Sequence, residues 1–170
     1  MGTLVTRSSF KSEIYNFILT LYWNNNEDPQ YVGQWINLLI SKDKSFISQC
    51  IGTIVKYIKN EENKEFNFLF NILKSSVSVN NYKLRDQDFI LLTFIKDCTI
   101  SQLRKLIRLI ELLCNKGYMH LTSFLESEID TILSKLSIYN LNSEIDTLLD
   151  SLSPFTLHSK LNLWNKKYGS

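Results

Sequence analysis

The side chains of this 170-residue chain that could do chemistry are few: two histidines, three cysteines and some carboxylates at helical spacing. A metal centre needs three or four His, Cys or carboxylate ligands converging, which a sequence signals by short spacings such as i+3, i+4 or Cys-x-x-Cys. His120 and His158 have no partner at such a spacing, and Cys50, Cys98 and Cys114 are widely separated. Three buried free thiols are expected, with no disulfide framework, no metal and no cofactor. The five glycines never cluster, so no loop is suited to cradling a phosphate. Gly-x-Ser-x-Gly, His-Glu-x-x-His and the Walker pattern are absent. Asp146 and Asp150 stand at i, i+4, but hydrolysis also needs an electrophile or a buried acid beside them. The chain is therefore expected not to be an enzyme.

Charge is more informative in its distribution than in its sum of +2, which gives no whole-molecule reason to expect nucleic acid. Residues 96–120 hold five basic and two acidic side chains; residues 121–153 hold six acids and one lysine. Arg104 and Arg108, with Lys105, share one side of a helix, while Glu128, Asp130, Asp146 and Asp150 are expected to face water. Such opposed blocks either pair inside the fold or present an acidic face to a basic partner. Trp164, with Tyr168 near the C-terminus, is either an anchor for a partner or a cap on the end of the core. These seven residues, Arg104, Arg108, Glu128, Asp130, Asp146, Asp150 and Trp164, form the candidate partner-binding set.

The elements that must position them are helices. Apolar residues recur at spacings of three and four in the segments Phe10–Tyr22, Val32–Ile40, Phe46–Ile58 and Ile100–Cys114. In the second of these the stripe is Val32, Trp35, Ile36, Leu39 and Ile40, with Asp28-Pro29 as its start signal. A dense apolar stretch, 66–73, and a segment through Phe89–Lys96 predict two more. Thr99 is placed to cap the helix from Ile100, and Gly117 to end it. Because that helix is apolar around most of its circumference, it is expected to be central. Residues 75–86 read as a long loop with a conceivable short strand at Val77 and Val79, and residues 1–9 as flexible.

One pattern occurs twice. Ser127–Ser137 and Ser143–Ser153 agree at eight of eleven positions, sixteen residues apart. In an unbroken helix that shift would turn the second apolar stripe about 160° from the first. A break at 139–143 is therefore required, with Asn142 or Ser143 as the new N-cap. Two short antiparallel helices then turn Ile129, Ile132, Leu133 and Leu136 and Ile145, Leu148, Leu149 and Leu152 inward. A sixteen-residue period is too short for a helical-repeat array. A last helix is expected after Pro154.

Composition agrees with a globular chain: 44% hydrophobic and 21% charged. Alanine is absent while Ile, Leu and Asn abound, which points to an AT-rich coding genome. No apolar run approaches the ~18 residues that span a bilayer, and MGTLVTRSSF lacks a secretory h-region. An intracellular protein, in cytoplasm or nucleus, is expected. The abrupt ends fit either a single domain of 1–170 or a piece of something larger. The fold expected is all-α, eight or nine helices packed as successive antiparallel pairs. The function expected is non-catalytic protein–protein interaction, a scaffold or adaptor domain binding a partner's helix or peptide. The alternatives are a helical nucleic-acid-binding module using the basic patches, and a viral helical domain that sequesters a host protein.

Overall fold

The structure, a computed structural model, describes residues 13–19, 29–85, 88, 93–120 and 123–169. Among these the α-helices are α1 (13–19), α2 (Pro29–Lys42), α3 (Ser45–Lys59), α4 (Asn63–Ser75), α5 (Ile100–Asn115), α6 (Ser123–Ile138), α7 (Asn142–Leu152) and α8 (His158–Tyr168). Two 3-10 turns, Thr93–Asp97 and Ser153–Phe155, complete the regular structure, and no strand occurs among the described residues. The fold is an all-α stack. The expectations for residues 1–12, for the helical segment beyond 13–19 and for Asp28 lie outside the described residues.

Helix ends follow from local chemistry. Thr99 caps α5 with a reciprocal capping box: the Gln102 backbone N–H donates to Thr99 Oγ1 at 3.1 Å, and the Thr99 N–H to Gln102 Oε1 at 2.8 Å. The Gln102 amide then donates to the Lys59 carbonyl at 3.1 Å, tying the start of α5 to the end of α3. Three helices end in the same two-bond cap, with a left-handed residue at C′. After α5 it is Gly117 (φ 76°), after α6 Asn140 (φ 58°) and after α3 Glu61 (φ 55°). In each, the following N–H reaches back five residues, from Tyr118 to Leu113, Leu141 to Leu136 and Glu62 to Tyr57. Asn140 supplies the break between the two copies, and the N-cap of α7 is Leu141 rather than Asn142 or Ser143.

Packing places α5 at the centre, against α3 on one side and α7 on the other. Helices α2, α3 and α4 pack together, as do α6, α7 and α8. Both apolar stripes of the repeated pattern are buried in full. Burying eight such aliphatics contributes about 12–24 kcal/mol of gross transfer free energy, before the entropy of ordering is subtracted. The pairs α3/α4 and α6/α7 are antiparallel hairpins. The step from α4 to α5 is different, because the Lys116 ammonium after α5 donates to the Ser76 carbonyl after α4, so these helices end together. Helix α5 therefore starts at the opposite end, where Gln102 meets Lys59. The loop of residues 76–85 is pinned at that shared end: the Leu84 N–H donates to the Tyr118 carbonyl at 2.8 Å, and the Val79 N–H to the Tyr118 hydroxyl at 3.1 Å. Residues 77 and 79 form no strand. Of the helix expected at 89–96, residues 93–97 form a 3-10 turn and the rest lie outside the described residues.

Candidate interaction surface

Arg104 and Arg108 lie on the outward stripe of α5 but serve different neighbours. Arg104 Nε donates to Glu144 Oε1 at 3.1 Å, joining the second turn of α5 to the first turn of α7, which run in the same direction. The Arg108 guanidinium lies over the Phe70 ring at 4.7 Å and the Phe66 ring at 5.4 Å, a cation–π stack on α4. Beside it opens a cavity of about 200 Å³ lined by Phe70, Lys74, Arg108, Glu111, Leu112 and Asn115. The acid that closes on the basic stripe is Glu144, in the first turn of α7 and outside the candidate set.

The four candidate acids do not form one face. Asp130 is half-buried: it accepts from the Trp164 indole N–H through Oδ1 and from Lys160 Nζ through Oδ2 at 3.3 Å. Trp164 is 1% exposed, so it is a core residue of α8 and not an exposed anchor. The expectation that Trp164 faces a partner is corrected by its burial, while the Asp130 side chain stays 43% exposed and turns one oxygen to the indole. The two hold each other, because a buried indole N–H needs an acceptor. Glu128 is half-buried, while Asp146 and Asp150 are exposed. They sit about 120–160° around α7 from Glu144, on the flank away from Arg104. The two copies thus share an inner stripe, but their acids have separate uses. Asp130 and Lys135 border a cleft of about 500 Å³, where Lys135 Nζ donates to the Ile95 and Lys96 carbonyls and lashes the 3-10 turn to α6.

Helix α2 carries two further surfaces. Val32, Ile36 and Ile40 are buried. On one flank of that stripe Tyr31, Trp35 and Leu38 stand 62%, 51% and 56% exposed, at the i, i+4, i+7 spacing of a single ridge. Trp35 therefore leaves the buried stripe in which the sequence placed it, and Leu39 is only half-buried. On the other flank a groove of about 430 Å³ separates α2 from α4. The ridge was legible as an apolar arc on α2 of about 200°, twice what one packed face requires.

The groups with chemical potential are quiet. Burial pushes the thiols of Cys50 and Cys114 up to about 12 and raises that of Cys98. Both histidines are exposed. Among the described residues no three His, Cys, Asp or Glu side chains gather as metal ligands, and no helix is long and apolar enough to cross a membrane. Comparison with known proteins gives no match at any of three levels: no family model, no curated protein and no solved structure.

Proposed function

We propose that the chain is a non-catalytic interaction domain that binds a helix or peptide of a partner protein. The observation that carries this reading is the ridge of Tyr31, Trp35 and Leu38, three large apolar side chains more than half exposed on one line of α2. Contiguous exposed apolar area of this kind marks contact sites, and aromatic residues dominate the energetics of such sites. A partner helix reads such a line through its own i, i+3, i+4, i+7 residues. Arg108, fixed by its stack on Phe66 and Phe70, adds an oriented cation on another face.

The test is cross-linking capture from the native cell with the wild-type chain and with Tyr31→Ser, Trp35→Ala, Leu38→Ser combined. The expected result is a partner recovered by the wild type and lost by the triple variant, whose melting temperature stays near that of the wild type. Recovery of the same partner by both chains overturns the reading. Nucleic-acid binding, the alternative favoured by Arg104, Lys105 and Arg108, would show a log K that falls steeply with log salt. Apolar contact at the ridge does not.

A further inference from the structure

The groove between α2 and α4 is lined by Gln30, Gln34, Asn37 and Asn71, with Phe68 and Ile72 as its apolar wall, and among the described residues no charged side chain lines it. Gly33 and Ser75 complete it and leave it wide, since neither carries a bulky side chain. An amide side chain repeats the functional groups of a peptide unit, one carbonyl acceptor and an N–H donor pair. Asn37 Oδ1 is buried with no hydrogen-bond partner. A ligand N–H that reached this oxygen would supply the partner it lacks.

Spacing decides which ligand such a row fits. Gln30, Gln34 and Asn37 follow one another at steps of four and three residues, about 6 and 4.5 Å along the helix axis. An extended chain presents same-side backbone groups every ~6.6 Å, a mismatch that glutamine torsions absorb. A helical ligand keeps its backbone donors and acceptors for itself and offers the amides nothing. The neutral lining disfavours a charged segment, whose desolvation it would not compensate. From these observations we infer that the α2–α4 groove holds an uncharged, extended segment of a partner protein by its backbone. Helix α2 is long enough for about six residues of such a segment. The inference deepens the reading of a partner-binding domain, yet it uses the flank of α2 opposite the Tyr31–Trp35–Leu38 ridge.

The experiment selects random twelve-residue peptides from a displayed library on the full chain, then measures the winners by fluorescence polarisation. Selected sequences are expected to be poor in Asp, Glu, Lys and Arg. Gln34→Ala and Asn71→Ala, both at exposed positions, should each weaken binding roughly tenfold, the loss of about one well-made hydrogen bond. Methylating the peptide's backbone nitrogens one at a time should weaken binding at alternate residues only, since one edge of a strand faces the amides. A flat methylation profile, or amide variants that bind as the wild type does, overturns the inference. Binding lost in Trp35→Ala alone also overturns it, while leaving the ridge reading standing. Failure to select any peptide, or winners displaced by an oligonucleotide or by phosphate, counts against the groove as well.

Discussion

Removing the Asp130 carboxylate should show that this residue belongs to the fold and not to the partner surface. Asp130→Ala takes the acceptor from the Trp164 indole, a fully buried donor, and frees Lys160. A hydrogen bond to a charged acceptor contributes about 1.5–3 kcal/mol, and a buried N–H left unmet costs a similar amount. The Lys160 pair adds at most about 1 kcal/mol, because both side chains reach solvent. The expected loss is about 2–3 kcal/mol for Asp130→Ala. Asp130→Asn keeps a neutral acceptor, so its loss should be about 1 kcal/mol. Urea unfolding followed by far-UV circular dichroism gives both values without relying on tryptophan emission. In a Trp164→Phe background, which has no indole N–H, Asp130→Ala should cost less than about 1 kcal/mol, leaving a coupling of about 1–2 kcal/mol. If Asp130→Ala costs the same in both backgrounds, the indole bond is not what fixes α8, and the assignment of both residues to the core fails.

Three further outcomes are expected. Glu61 holds a left-handed φ at the end of α3 that glycine adopts without strain, so Glu61→Gly should raise stability by about 1 kcal/mol in the same urea assay. A Cβ at Gly33 would sit 3.6 Å from Ile72 Cγ1, an ordinary contact, so Gly33→Ala should stabilise α2 by about 0.5–1 kcal/mol as read by thermal melting. With the Cys50 and Cys114 thiols near 12, native protein at pH 8 should resist iodoacetamide, and both should react at least a hundredfold faster in urea. The folded state holds these protons more tightly than the unfolded chain does. Stability is full below the unfolded thiol value of ~8.5 and falls toward pH 12 by about 1.4 kcal/mol per unit per thiol.

Sequence periodicity revealed the stripes because burial of one helix face is a local, repeated constraint. Leu106 and Ile110 of α5, Ile132 of α6 and Leu148 of α7 all lie in the core where their spacing puts them. The caps at Thr99 and Gly117 were legible for the same reason, since each is a bargain between residues a few positions apart. What spacing cannot carry is which polar groups meet across forty residues. Arg104 meets Glu144 and not Asp146 because the rotation of α7 about its axis is set by Ile145, Leu148 and Leu149. Trp164 could be read as a terminal anchor or as a core cap, because nothing near it in sequence announces Asp130. The groove between α2 and α4 had no signature at all, since glutamine and asparagine on a helix surface are ordinary until a second helix is set beside them.

The common end of α4 and α5, with the exposed loop beside it, has a practical consequence. Opening the backbone within residues 77–79, where Val77 is 87% exposed, severs no helix. Each fragment then lacks a wall: α3 loses the cover of α5, and α5 keeps α7 while baring the side that α3 protected. The two pieces are mutually complementary and separately incomplete, the property required of a split reporter. Mixed together, they should reassemble through the seam along α5, with Gln102 on Lys59 and Lys116 on Ser76 setting the register at its two ends.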